Sequence, residues 1–336
     1  MKLGSIVSCA LALAVSACGG SAPPAADPSL EDSSPSSGSG SGGNKPSSAP
    51  ASNASVEKAM SAIQSQDFAG AKSILEQARK DDPKDPQAAF YLGVADEGLG
   101  DKAGAKEAYK AAIGLDPKLP DPAVNLSQLL LDENDAQGAL AVVDTALKTL
   151  PKHPDLLLNR AVALEAVGKK DEALSAYATA AGVRPKDMVL HAAYGQLLME
   201  SGKQKEGLDE LKKASGTDDP ALLASIASVQ TKAGAFDDCI ATINRALEKK
   251  KIPALLVRRG ICEDGKKDGK SAEADYQAAL AMDANFAPAH HYLGLHLAAK
   301  DKKAALEHLD KAAALAGDKG IGPEAKQKAA ELRGKK

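Results

Sequence analysis

The chain is predicted to fold as an all-α array of helix–turn–helix repeats. Its 336 residues are 44% hydrophobic but only 3% aromatic, with no Trp, so the core must consist of many small aliphatic contacts. Ala and Leu dominate the composition, and both favour helix. From about residue 52 the sequence also echoes itself every 34 residues, a period typical of stacked helical units.

Three columns of residues define the repeat. Each recurs every 34 residues over four copies: Pro83, Pro117, Pro151 and Pro185; Ala78, Ala112, Ala146 and Ala180; Ala71, Ala105, Ala139 and Ala173. Two antiparallel helices cross closely only where side chains are small, so we expect Gly93 to face Ala105. Proline lacks an N–H and disfavours helix in the preceding residue, so each proline should close the second helix of its unit.

The copy at residues 86–119 resembles the tetratricopeptide repeat. The residues at the signature positions of that family are Leu92, Gly93, Gly100, Asp101, Ala105, Tyr109, Ala112 and Pro117. The resemblance implies an all-α, right-handed superhelical solenoid in which one helix of each pair lines a concave face.

About eight units are predicted over residues 55–316. They start near residues 52, 86, 120, 154, 188, 220, 253 and 287. The later units are less regular, since Gly207 and Cys239 replace the first Ala of the pattern. After a glycine-rich break, residues 317–336 are predicted to form a polar capping helix with a basic tail.

Residues 1–17 have the pattern of a secretory signal, with a basic start, a short apolar run and small residues at the end. The sequence Val15-Ser16-Ala17-Cys18 resembles the lipobox of bacterial lipoproteins, which implies cleavage before Cys18 and lipidation of that residue. The alternative is an ordinary secretory signal. By resemblance, the protein is expected in the bacterial cell envelope, lipid-anchored at the outer membrane and facing the periplasm.

Residues 18–54 begin with Cys18, the proposed lipidation site, and continue as a tract rich in Ser, Gly, Pro and Ala. Such a tract cannot bury enough apolar surface to offset the entropy of ordering. We therefore predict a disordered tether between the membrane and the first helix.

The composition argues against several classes of function. A net charge of −3 gives no basis for nucleic-acid binding, which needs a clustered basic face. The run His290 to His296 spreads its histidines around a helix, so no metal site is predicted. Neither a catalytic nucleophile nor a cofactor motif is present, and we expect no enzyme and no cofactor.

Cys239 and Cys262 fall in neighbouring helices of units six and seven. A secreted compartment permits oxidation, so a bridge between them is one interpretation. The other is a pair of buried free thiols that pack as small apolar residues.

The candidate peptide-binding groove lies on the first helix of units two to four. Its predicted residues are Phe90, Val94, Val124, Asn125, Leu131, Leu158, Asn159, Val162 and Glu165. By resemblance, Asn125 and Asn159 are placed to bond to the main chain of an extended peptide; the alternative is that this position simply tolerates Asn on a solvated surface. The aliphatic side chains and the carboxylates among them favour an apolar-to-basic polypeptide partner.

Two functions are therefore weighed. The leading one is a non-enzymatic scaffold or assembly factor that binds protein partners in the envelope. The alternative is a glycan-associated adaptor that supports a cell-wall enzyme, for which Tyr91 and Tyr292 are the aromatic candidates.

Overall fold

The computed structural model describes residues 54–334, which form 17 α-helices and no strand. The predicted signal sequence, Cys18 and the tether lie outside the described residues. The helices are α1 Ala54–Gln64, α2 Phe68–Asp81, α3 Pro86–Gly98, α4 Lys102–Leu115, α5 Pro120–Asp132, α6 Ala136–Thr149, α7 Pro154–Ala166, α8 Lys170–Val183, α9 Met188–Glu200, α10 Gln204–Ala214, α11 Pro220–Lys232, α12 Phe236–Lys249, α13 Pro253–Gly265, α14 Gly269–Met282, α15 Ala287–Leu297, α16 Lys302–Ala316 and α17 Gly322–Gly334.

The repeat boundaries agree with the sequence pattern. The first helices of units two to eight begin at the predicted positions 86, 120, 154, 188, 220, 253 and 287. Second helices α2, α4, α6 and α8 each end two residues before the proline predicted to close them. Because proline fixes φ near the helical value, it also serves as the first residue of helices such as α3 and α5.

A recurring aspartate starts many second helices. The carboxylates of Asp67, Asp101 and Asp135 accept hydrogen bonds from the backbone N–H three residues later, each at 2.9 Å. These bonds satisfy a helix N–H that would otherwise lack a partner. A glycine follows at that third position in all three cases, and a Cβ on Gly70 would lie 2.2 Å from the Asp67 carboxylate.

The described residues fall into two compact units. Unit 1 contains residues 54–185 (α1–α8) and unit 2 contains residues 186–334 (α9–α17). In each unit a second helix packs against the first helix of its own repeat and of the next. The sequence pattern alone treated residues 55–316 as one array.

Small residues line the crossings within both units. In unit 1 the column Ala71, Ala105, Ala139 and Ala173 is fully buried. In unit 2 the alanines near the ends of the second helices, Ala214, Ala246, Ala279 and Ala312, are fully buried too. Gly93 was predicted to face Ala105; the structure also places the Tyr109 ring against it, since a Cβ on Gly93 would meet that ring at 2.5 Å. Glycine is required there to seat an aromatic ring. Backbones approach directly in the fifth repeat, where a Cβ on Gly195 would lie 2.9 Å from the Gly207 carbonyl oxygen.

In unit 2, Cys239 on α12 and Cys262 on α13 form a disulfide with Cα atoms 6.3 Å apart. The bridge joins two consecutive repeats and is buried with Leu223 and Ile243. The capping helix α17 packs Ala325 and Ala329 against Leu309 of α16. It thereby covers the apolar side of the last repeat.

Candidate functional site

First helices of neighbouring repeats lie side by side. In unit 1, α1 contacts α3 and α5 contacts α7; in unit 2, α9, α11, α13 and α15 contact one another in succession. Their outward surface within each unit is called the first-helix face. It is the surface on which the predicted groove residues lie.

The predicted apolar side chains on this face of unit 1 differ in exposure. Phe90, Val94, Val124 and Leu131 are partly exposed. Leu158 and Val162 are buried. Phe90 packs against Tyr91 and Tyr109, with ring centroids 4.9 and 5.9 Å apart. The exposed apolar surface is therefore concentrated on α3 and α5.

In three repeats, a tyrosine of the second helix donates a hydrogen bond to a carboxylate near the C-terminal end of the first helix. The Tyr109 hydroxyl donates to Glu97 (2.8 Å), Tyr177 to Glu165 (2.7 Å) and Tyr276 to Asp264 (2.9 Å). Burial raises the pKa of Tyr109, and the Glu97 charge adds to the shift. The hydroxyl therefore remains a proton donor to the carboxylate. Sequence reasoning missed these pairs, although each has the same 12-residue spacing.

The two predicted asparagines have structural partners. Asn159 is buried, and its Nδ2 donates to the Ser127 hydroxyl (2.8 Å) and the Val124 carbonyl (3.2 Å). Both amide hydrogens hold α7 against α5, so the prediction that Asn159 bonds to a peptide is corrected. Asn125 is partly exposed and donates to the Tyr109 hydroxyl at 3.3 Å, which leaves its second N–H for a ligand.

Unit 2 has an open cavity of about 640 Å³ on its first-helix face. Ile261, Leu295, Tyr276 and Tyr292 supply its apolar lining, and Lys267, Lys270 and Lys300 supply its cations.

A hydrogen-bonded chain forms one wall of this cavity. Lys300 donates to Nε2 of His296 (2.9 Å), and Nδ1 of His296 lies 2.6 Å from Asp264. Since an ammonium group only donates, Nε2 accepts and Nδ1 carries the proton that is donated to Asp264. The Tyr276 hydroxyl donates to the other oxygen of Asp264. Both oxygens of this carboxylate are therefore engaged.

Two other histidines pair with each other. Nδ1 of His290 and Nδ1 of His308 are 2.8 Å apart, and Nε2 of His290 donates to the Ala284 carbonyl at 3.1 Å. Burial lowers the pKa of both imidazoles. Within residues 54–334, no group of three or more side chains is placed to hold a metal ion.

Among residues 54–334, no helix combines the length and apolar character needed to cross a bilayer.

Residues 56–120 and 130–197 match tetratricopeptide repeat family models. Among solved structures, yeast Tom70 is 18% identical with a TM-score of 0.49, covering 84% of this chain and 65% of its own. A tetratricopeptide repeat protein from Parabacteroides merdae is 19% identical with a TM-score of 0.48, covering 73% and 98%.

MamA is 20% identical with a TM-score of 0.43, and the match covers 46% of this chain and 91% of MamA. A search of curated proteins finds no match. The sequence matches identify tetratricopeptide repeats at residues 56–120 and 130–197, within a chain whose helix pairs continue to residue 316.

Proposed function

We propose that this protein is a non-enzymatic scaffold that binds polypeptide partners on its first-helix face in the bacterial cell envelope. The observation that carries the proposal is the pattern on α3 and α5. Partly exposed Phe90, Val94 and Val124 lie on the same helices as Glu97 and Asp121. Such a surface suits a segment with apolar anchors and basic flanks.

The carboxylates of this surface favour a cationic ligand. Burial raises the pKa of Asp121, the nearby Asp155 charge raises it further, and His153 opposes the shift. A bound Lys or Arg would relieve the repulsion between the two carboxylates. Its arrival should therefore lower the pKa of Asp121.

The location proposed is the outer membrane, with the lipid on Cys18 and the folded units in the periplasm. Two features support export: the signal-like residues 1–17 and the Cys239–Cys262 bridge. Disulfides persist in oxidising compartments and are rare in the cytosol. In the producing bacterium, palmitate should label the wild type but not Cys18→Ala, which should leave the membrane fraction. A membrane-bound, unlabelled Cys18→Ala protein would contradict the lipid anchor.

Affinity capture from crosslinked envelopes tests the scaffold function. We expect the full-length wild type to retain a defined protein and Val94→Arg to lose it. Lys148→Gln, which changes an exposed residue of α6, should retain it. Equal capture by Val94→Arg would contradict binding at this face.

The alternative function is a glycan-associated adaptor. Tyr292 lines the cavity of unit 2, and its ring stacks on Tyr276 with centroids 6.4 Å apart; aromatic platforms of this kind hold sugars. Retention of the full-length protein on purified cell-wall sacculi, lost in Tyr292→Ala, would favour this function over the scaffold.

A further inference from the structure

The eighth repeat, formed by α15 and α16, contains four of the six histidines of the chain: His290, His291, His296 and His308. Two of them lie near a carboxylate. Nε2 of His291 is 3.7 Å from Glu324, and Nδ1 of His296 is 2.6 Å from Asp264. His290 and His308 face each other instead, and neither ring forms an ion pair with a carboxylate of the described residues.

The contact between His290 and His308 depends on their protonation. Nε2 of His290 donates to the Ala284 carbonyl, so Nδ1 of neutral His290 is an acceptor. The Nδ1–H of His308 donates to it across 2.8 Å, and one proton therefore lies between the two rings. When both rings become imidazolium, each Nδ1 carries a hydrogen and the hydrogen bond is lost. Proton uptake therefore weakens this contact between α15 and α16.

The fifth repeat has a carboxylate where the eighth has its second histidine. The fourth residue of the first helix is His191 in α9 and His290 in α15, and the seventh residue of the second helix is Glu210 in α10 and His308 in α16. Nδ1 of His191 lies 2.5 Å from Glu210, and Lys213 pairs with the other oxygen of this carboxylate at 2.7 Å. A proton on the imidazole of the fifth repeat thus meets a negative charge, whereas in the eighth repeat it meets another imidazole.

The surroundings of the pair oppose protonation as well. Burial is the main cause that lowers the pKa of His290 and of His308. The charge of Lys311, which is the tenth residue of α16 as Lys213 is of α10, lowers the pKa of both rings further. Asp283 raises the pKa of His290 and Glu307 that of His308, and these effects are smaller than that of burial.

We propose that the His290–His308 pair is an acid-sensitive switch that keeps the eighth repeat closed at neutral pH and lets it open on acidification. The unfolded pKa of histidine is about 6.5, and both folded values lie below their ordinary range. Stability from the pair is therefore fully present above pH 6.5 and falls as the pH drops below it. A terminal repeat can open while the rest of an array stays folded.

Opening of the eighth repeat would dismantle the cavity of unit 2. The seventh repeat supplies Ile261 and Tyr276 to the lining, and the eighth supplies Tyr292 and Leu295. Any ligand of this cavity would therefore be released in acid. The first-helix face of unit 1 is outside the repeat that opens, so the switch does not depend on the proposed function.

Hydrogen–deuterium exchange of the full chain at pH 7.5 and pH 5.5 tests the switch, with rates corrected for the intrinsic effect of pH. Uptake of one net proton on opening raises the opening equilibrium constant about tenfold over this range. We expect protection of residues 287–334 to fall by about that factor in the wild type. Protection of residues 54–185 should change less than twofold.

His308→Glu recreates the pair of the fifth repeat and should reduce the acid-induced loss of protection to less than twofold. His290→Leu, which introduces the residue that the seventh repeat has at this position (Leu256), should also remove most of the loss. His191→Gln is the matched control: it removes a histidine from the same position of the fifth repeat and should keep the tenfold loss in residues 287–334. Thermal unfolding at pH 7.5 confirms that each variant is folded.

Three results would overturn the inference. The first is equal protection of residues 287–334 at the two pH values in the wild type. The second is a loss of the same size in residues 54–185, which would indicate global unfolding. The third is an undiminished loss in folded His308→Glu and His290→Leu. None of these results bears on binding of polypeptides by unit 1, so the proposed function would stand.

Discussion

In unit 2 two carboxylates share one guanidinium. Both oxygens of Asp275 accept from Arg259, while Oε1 of Glu263 lies 3.8 Å from Nε of Arg259. The other oxygen of Glu263 is buried and has no hydrogen-bond partner among the described residues. Burial raises the pKa of Glu263 to about 7, Asp275 adds to the shift, and Arg259 opposes it. Nearby Asp268 and Asp264 raise it further. Protonated Glu263 therefore suits the folded state better than the carboxylate does.

Glu263→Gln should remove a pH-dependent penalty. The folded pKa lies above the unfolded value of about 4.3, so stability from this group is fully present below that value and is lost as pH rises through 7. At pH 8 the variant should exceed the wild type in free energy of unfolding by about 2 kcal/mol, once the full effect of the shift is reduced for solvent screening of this partly exposed group, with little difference at pH 4. Urea titrations across this range measure it. A difference constant with pH, or the same profile in Glu248→Gln on the exposed side of α12, would contradict the account.

Tyr109→Phe tests the fixed carboxylates of the first-helix face. The substitution removes a buried hydroxyl that donates to Glu97 and accepts from Asn125. We expect the free energy of unfolding to fall by about 1 kcal/mol. In Tyr91→Phe, where no hydroxyl hydrogen bond forms with described residues, the change should be much smaller. Equal changes in the two variants would count against the paired arrangement.

Helices and turns were largely predictable from the sequence, because a few residue types repeat at their boundaries. Proline at the helix ends and Ala at the crossings gave the positions of the eight repeats. The Tyr109 ring could not be placed against Gly93 by spacing alone, since Ala105 lies on the same side. Asn159 was misjudged because its acceptors, Ser127 and the Val124 carbonyl, come from another repeat. Contacts between repeats are fixed by packing, which a single repeat does not encode.

The Cys239–Cys262 bridge should stabilise unit 2. It closes a loop with a sequence separation of 23 residues, and such a loop is worth about 3 kcal/mol through restriction of the unfolded chain. Replacing both cysteines with Ala should lower the free energy of unfolding by that amount. Reductant should destabilise the wild type and leave the double variant unchanged. Equal sensitivity of both proteins to reductant would refute this role.

At the scale of the whole molecule, the sequence predicted the kind of surface but not its charge pattern. The apolar positions Phe90 and Val124 followed from the repeat register. Of the lysines that line the unit 2 cavity, Lys267 and Lys300 lie in turns and Lys270 lies in the first turn of α14, all outside the first-helix positions from which the groove was predicted. In unit 2, the chemistry of the face therefore depends on turns and a second helix as well as on first helices.

Site-specific photocrosslinking in living cells tests the central claim most directly. A photoreactive amino acid at Val124 on the first-helix face should yield a crosslink to a defined polypeptide. The same amino acid at Lys148, an exposed position on the second helix α6, should yield none. Equal crosslinking at both positions, or none at Val124 in a well-folded protein, would contradict a scaffold that binds polypeptides on its first-helix face.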